Sequence, residues 1–217
     1  MPVPLTFYYG SGSPYSWRVW FALEHKRIPY ELKVLSFSAG DLKKPEYVAI
    51  NPRRKVPAIV DNGFALHESA AIIEYLDEQY PNEPRLFPGD VRERALARRM
   101  VRETDEYFAA AMEALVDNIL FTDKAQWSEP DIAKARDGLR GEFALWETQI
   151  AGDYLAGALS AADFTLYPAV ALLLRIEKKK PDLDIRGLIG PKLTAWMKRI
   201  EALPYFEKTI PPHWKTA

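Results

Sequence analysis

The chain contains no cysteine. That absence excludes disulfides, thiolate metal centres and a cysteine nucleophile, so any sulfur chemistry must arrive with a ligand. Histidine is scarce as well. His25, His67 and His213 are far apart and no two share helical ligand spacing, so no metal site is expected. Neither sign of charge is in excess: 29 basic against 30 acidic residues leave a net charge of −1, which argues against an electrostatic nucleic-acid binder. No apolar run approaches the ~20 residues of a membrane span. The longest, Leu166 to Leu174, is interrupted by Pro168 and suits a buried helix. Met1-Pro2-Val3-Pro4-Leu5-Thr6 has neither a basic leader nor an apolar core. A soluble, cytoplasmic protein without membrane or nucleic-acid partners is therefore expected. A length of 217 residues supports one large domain or two small ones without staples.

Against these absences stands one dense stretch, Asn51-Pro52-Arg53-Arg54-Lys55-Val56-Pro57-Ala58-Ile59-Val60, followed by His67-Glu68-Ser69-Ala70-Ala71-Ile72-Ile73-Glu74-Tyr75-Leu76. Proline is tolerated in a sheet only at an edge, a strand start or a bulge. Pro57 can thus hold Val56 extended and leave its N–H and C=O to an outside, strand-like ligand. Eleven residues on, Glu68-Ser69 opens an amphipathic helix. There Ser69 and free backbone N–H groups can receive a carboxylate. Val-Pro alone is an ordinary strand entry and Glu-Ser alone an ordinary helix cap. Their order, with an Asp61-Asn62-Gly63 hairpin turn between them, is the more specific signal. An extended peptide with a terminal carboxylate would satisfy both.

The surrounding chain reads as two domains. Val3–Tyr9 and Tyr30–Leu35 are predicted strands flanking a helix from Tyr15 to Lys26, with Pro14 at its first position. After a long polar connection over residues 36–55, Val56–Asp61 and Phe64–Leu66 form a hairpin, and Glu68–Tyr80 a helix. This βαβ-then-ββα order is a thioredoxin-like α/β domain over residues 1–81. Residues 82–89 are a proline-rich linker, and 90–217 are predicted to be an all-α domain. Val101, Phe108, Met112, Leu115 and Ile119 mark one long helix, and Pro130–Ile150 another with Leu139, Phe143 and Trp146 on one side. Ser160 and Asp163 have capping-box spacing before an almost wholly apolar helix, Phe164–Ile176, expected at the centre of the second domain.

The Val56-Pro57 and Glu68-Ser69 pairs resemble the glutathione-binding half of the cytosolic glutathione S-transferase family, and the Ser160–Asp163 box resembles the family's helical domain. The resemblance spans nearly the whole chain. It implies a cis Pro57, a Val56 that pairs with the cysteinyl backbone, and Glu68 and Ser69 holding the γ-glutamyl end. Lys55 or Arg54 would meet the glycyl carboxylate, each being equally readable as a surface or interface charge. Asp105 on the long helix would reach a partner subunit's glutathione, although a solvated helix face is the favoured reading of that residue. The turn Ser13-Pro14-Tyr15-Ser16-Trp17-Arg18-Val19 looks like the serine-type classes, whose first serine points at the sulfur, here Ser13. Pro14 and Tyr15 stand where a zeta-type isomerase would have Ser-Cys.

A free thiol with a pKa near ~8.5 is only a few per cent ionised at pH 7. One donor aimed at sulfur, beside a helix N-terminus, is enough to change that. The hydroxyl candidates are Ser13, Ser11, Ser16, Tyr9 and Tyr15, each also readable as a turn or cap residue. The second substrate, a hydrophobic electrophile, is expected between the domains against Tyr15, Tyr107, Phe108, Met112 and the tail Pro211-Pro212-His213-Trp214. The implied protein is a homodimeric, detoxifying glutathione transferase with glutathione as co-substrate. A glutathione-dependent isomerase, dehalogenase or peroxidase on the same fold is the alternative within enzymes. A non-catalytic interaction module is the alternative outside them, and the two intact pairs argue against it.

Overall fold

The computed structural model describes residues 5–82, 84–150 and 152–215. They divide into two compact units, the first comprising Met1–Phe87 with Leu203–Ala217 and the second Pro88–Ala202.

In the first unit four strands, β1 (Leu5–Gly10), β2 (Tyr30–Leu35), β3 (Ala58–Asp61) and β4 (Phe64–His67), form one mixed sheet in the order β2-β1-β3-β4. β1 runs parallel to β2 and antiparallel to β3, and β3 pairs antiparallel with β4. Asn62 and Gly63 both have positive φ, as a tight hairpin turn requires. Along β1 the side chains alternate, with Leu5, Phe7 and Tyr9 buried. Helix α1 (Pro14–His25) starts where Pro14 predicts, and α3 (Ser69–Gln79) buries Ile72, Ile73 and Leu76. A short α2 (Pro45–Val48) lies in the polar connection. Lys26 and Asp77 join α1 to the end of α3 as a buried pair 3.3 Å apart, and the same carboxylate accepts from the Leu86 N–H at 2.7 Å.

Ser16 to Leu23 of α1 are buried without a break. A helix with no exposed face needs cover all round, and the chain supplies it from its far end. There α9 (Phe206–Thr209) brings Phe206 onto Phe21, with ring centroids 6.2 Å apart. Thr209 accepts from the Trp17 indole N–H at 3.0 Å, and Trp214 meets Trp17 edge-on at 5.3 Å. Residues 90–217 are expected from the sequence to form the helical domain; the tail from Leu203 instead packs in the first unit. The reason is the apolar outer face of α1, for which Phe206 and Trp214 are a matching cover.

The second unit contains α4 (Val91–Glu103), α5 (Ala109–Leu120), α6 (Glu129–Gln149), α7 (Ala161–Glu177) and α8 (Pro191–Glu201). Asp90 and Glu93 form a reciprocal capping box on α4, the Glu93 carboxylate accepting from the Asp90 N–H at 2.7 Å. The single long helix expected through 101–119 is interrupted by a wide π turn at Thr104–Phe108, closed by the Ala109 N–H on the Thr104 carbonyl. The extra residue alters the helical register while Val101, Phe108, Met112, Leu115 and Ile119 all remain buried. Central α7 is buried nearly throughout, and its capping residue Asp163 is fully enclosed. The Asp163 carboxylate accepts from the Ser160 N–H (2.8 Å), Ser160 Oγ (3.1 Å), the Leu155 N–H (2.9 Å) and Trp196 Nε1 (2.8 Å). Burial pushes its pKa up to about 6, although all of these donors favour the charged form.

Candidate active site

Three segments of the first unit carry the chemistry. The first is the turn between β1 and α1, closed by the Ser13 N–H on the Gly10 carbonyl at 3.1 Å, with Gly12 at φ +89. Ser13 is the N-cap of α1, and its Oγ accepts from the Ser16 N–H at 3.2 Å. A hydroxyl that accepts through oxygen still has its proton to give. Ser13 can therefore cap the helix and donate to a ligand at once. Ser16 is enclosed, and its Oγ accepts from the Gly10 N–H at 3.3 Å, a structural duty inside the turn.

Tyr9 is 0% exposed, packed edge-on against Trp20. Its buried hydroxyl makes no hydrogen bond of normal geometry. The Ser11 side chain and the Gly12 amide are close enough to favour the phenolate slightly, but burial dominates and pushes the phenol up to about 12. Tyr15 is half-buried, with the Arg18 guanidinium 5.6 Å from its ring centroid.

The second segment is the loop before β3. Asn51 Nδ2 and the Tyr47 hydroxyl both donate to the Lys55 carbonyl, and Asn51 Oδ1 accepts from the Arg53 N–H. This clamp presents Val56 ahead of a cis Val56–Pro57 bond. Among the described residues no backbone hydrogen bond engages the Val56 N–H or C=O. Gly10 ties this loop to the turn. A Cβ at Gly10 would stand 2.5 Å from Val56 Cγ2 and 2.7 Å from Phe37 Cζ, so only glycine permits that approach.

The third segment is the junction of β4 and α3. Glu68 occupies φ +71, a strained conformation for a side-chain-bearing residue, and its side chain makes no capping bond. Ser69 is buried at the first helical position. The first intrahelical bond is the Ile72 N–H on the Glu68 carbonyl, leaving the preceding N–H groups as free donors. Pro52, Arg53, Lys55, His67 and Glu68 line a groove of about 760 Å³. Arg53 Nε lies 3.8 Å from Glu68 Oε1, both well exposed, a contact of little energetic weight.

The structure thus brings Ser11, Ser13, Val56 and Pro57 to adjoining segments, and puts Lys55 with Glu68 on one groove. Arg54, at φ +55 in the loop, is not among the residues lining that groove; its neighbour Arg53 is. Phe108 and Met112 are 0% and 1% exposed, and Phe108 packs edge-on against Phe143 at 5.3 Å in the core of the second unit, so neither offers a surface to a substrate. A helical stripe of this kind is core first. Tyr107, on the π turn, is 60% exposed.

Arg53 and His67 as groove residues, and Phe37 beside Gly10, were not singled out by sequence reasoning. Only the glycine hinted at a close approach. His213, expected from the sequence beside the substrate, is held against the turn by a long-range contact, its Nδ1 2.7 Å from Ser11 Oγ. Among the described residues no group of His, Asp and Glu could hold a metal, and no helix is long and apolar enough to cross a membrane.

Residues 12–79 match the family described as "Glutathione S-transferase, N-terminal domain", and residues 109–199 match "Glutathione S-transferase, C-terminal domain". Over 223 residues the chain is 30% identical to the glutathione S-transferase A of Pleuronectes platessa, covering 99% of this chain and 94% of that one. It is 35% identical over 204 residues to the probable maleylacetoacetate isomerase 2 of Drosophila melanogaster, covering 90% of this chain and 83% of that protein. The crystal structure of a glutathione S-transferase from the Antarctic clam Laternula elliptica superposes with a TM-score of 0.82 at 30% identity, over 99% of this chain and 95% of that one.

Proposed function

The chain belongs to the glutathione S-transferase family, an enzyme with glutathione as co-substrate, and from that premise we propose how its residues bind and activate the tripeptide. The cysteinyl backbone pairs with the free N–H and C=O of Val56. The γ-glutamyl end lies at the start of α3, its carboxylate on Ser69 and the N–H groups there, its amine on Glu68. The glycyl carboxylate meets Lys55 and Arg53. Ser13 donates to the sulfur and holds it as thiolate, which attacks an electrophilic carbon of a hydrophobic substrate beside Tyr15. In substitution the C–S bond forms, the leaving group departs with its electron pair, and the thiol proton passes to solvent. The observation that carries this reading is Gly10, whose missing side chain lets Val56 lie against the Ser13 turn.

Retention on immobilised glutathione followed by a panel of electrophiles tests it; a chain that neither binds the resin nor conjugates any of them would overturn it. Glu68→Ala should raise KM for glutathione on the order of tenfold, about 1.4 kcal/mol, while the bound thiol titrates as before. An unchanged KM would remove Glu68 from the site.

The name of the Drosophila relative favours a second reading, glutathione-dependent isomerisation of a conjugated double bond. The two readings separate on turnover: an isomerase regenerates glutathione, whereas a transferase consumes one per product.

Domain limits of 1–81 and 90–217 joined by 82–89 describe the chain's order but not the return of its tail. Cytoplasmic detoxification and a homodimer complete the proposal. Exposed Phe64, its ring tilted against that of Tyr75 with centroids 5.4 Å apart, is apolar surface suited to a partner. Light scattering at micromolar protein should give about twice the 24.8 kDa chain mass, and a monomer there would refute the dimer.

A further inference from the structure

His213 comes from near the far end of the chain to the turn that carries Ser13. Its Nδ1 lies 2.7 Å from Ser11 Oγ, and its ring occupies the space a Gly12 side chain would need: a Cβ there would stand 3.0 Å from Cε1 and 3.3 Å from Nε2. The imidazole is held in place. A 3₁₀ turn over Pro212–Trp214 carries it, closed by the Trp214 N–H on the Pro211 carbonyl at 2.8 Å, and Trp214 is seated edge-on against Trp17. His213 is also exposed, so its ring can exchange protons with solvent. With Ser13 assigned to the sulfur, the neighbouring Ser11 hydroxyl is left hydrogen-bonded to an imidazole, a group that can both give and take a proton.

We propose that Ser11 and His213 form a proton relay, which acts whenever glutathione adds across the double bond of a conjugated carbonyl compound. In such an addition the thiolate sulfur bonds to the β-carbon, and the π electrons move to the α-carbon and carbonyl oxygen as an enolate. The α-carbon then takes a proton from the Ser11 hydroxyl. Ser11 is restored by His213 Nδ1, and His213 regains the proton that the glutathione thiol gave up on ionising. The sum is glutathione plus enone giving one adduct, with no other reactant. Protonation also commits the step, because an unprotonated enolate can expel the sulfur again. Substitution on an aryl halide needs no such return, since halide leaves and the proton goes to solvent. A positioned proton donor contributes on the order of 10²–10⁴-fold where a proton must be delivered. His213 acts through Ser11 and is a positioning residue; Ser11 is the group in reach of substrate.

This rests on the assignment of the sulfur to Ser13, and the test keeps the two apart. His213→Asn retains a hydrogen-bonding atom near Nδ1 but cannot relay a proton. We expect kcat for an enone such as 4-phenyl-3-buten-2-one to fall at least tenfold relative to kcat for 1-chloro-2,4-dinitrobenzene. Ser11→Ala should shift the same ratio, and the double variant should lose no more than either single one, as members of one relay do. Imidazole added to His213→Ala should restore enone turnover in proportion to its concentration. Equal losses on both substrates, independent losses in the double variant, or no rescue would overturn the relay. Ultraviolet titration of the bound thiol should match the wild type in His213→Asn. Failure of the Ser13 assignment would appear separately, as an unshifted titration in Ser13→Ala.

Discussion

Ser13→Ala should raise the pKa of the bound glutathione thiol by roughly one to two units, each unit corresponding to about 1.4 kcal/mol of lost thiolate stabilisation. Glutathione affinity should stay near the wild-type value, because Val56, Glu68 and Ser69 make the binding contacts and none of them touches the sulfur. Near pH 7 a smaller fraction of bound glutathione is then thiolate, so kcat should fall on the order of tenfold to a hundredfold. It should recover in part as pH rises toward the new pKa. Ser13 also caps α1 through its bond from the Ser16 N–H. Loss of that cap costs about 1 kcal/mol of stability, so unfolding should be measured beside the kinetics. Ultraviolet absorbance of the bound thiolate against pH is the deciding measurement. A curve unmoved by Ser13→Ala but moved by Tyr9→Phe or Ser11→Ala would transfer the role to that residue. Burial argues against Tyr9: a phenol that is 0% exposed beneath the turn has no surface to offer an incoming thiol.

A second large effect concerns stability alone. Asp163→Ala should lower the unfolding free energy by about 3–5 kcal/mol, the range expected when a buried charged partner is removed from its donors. Two backbone N–H groups, the Ser160 hydroxyl and the Trp196 indole would lose their acceptor inside the second unit. Urea denaturation followed by tryptophan fluorescence would read this directly, and a loss under about 1 kcal/mol would mean that water or a neighbour replaces the carboxylate. The pH dependence has a definite sign. Folding raises the Asp163 pKa from 3.8 to about 6, so the native state holds the proton more tightly than the unfolded chain does. Its contribution to stability is greatest below about pH 4, declines as pH rises, and levels off above about pH 6. Wild type minus Asp163→Asn should show that slope; a difference flat across the interval would place the carboxylate in a better solvated site.

What the sequence made legible is what local chemistry dictates. Pro14 at a helix start, Asp61-Asn62-Gly63 as a hairpin turn, Val56-Pro57 ahead of a strand and Asp163 below a helix cap each follow from residues within a few positions of one another. Three things did not. Whether the groove receives Arg53 or Arg54 depends on a single positive φ, which adjacent arginines do not announce. Whether Phe108 and Met112 face ligand or core cannot be told from a 3.6-residue stripe, since both uses need the same spacing. The seat of His213 on Ser11 spans 202 residues. No local pattern encodes a contact between a loop and a tail that far apart.

The return of that tail has a consequence for how the protein is made. Helix α1 leaves the ribosome early, yet the Phe206, Thr209 and Trp214 that cover it are synthesised only after the whole second unit. Contacts of such long sequence separation form late and slowly. The first unit to be translated is therefore the last to be finished, and during synthesis Trp17 and Phe21 stay uncovered, a surface for chaperones to hold. A nonsense mutation or proteolytic nick near Leu203 would leave every residue of the glutathione groove in place, and would unsettle the helix whose first turn carries Ser13.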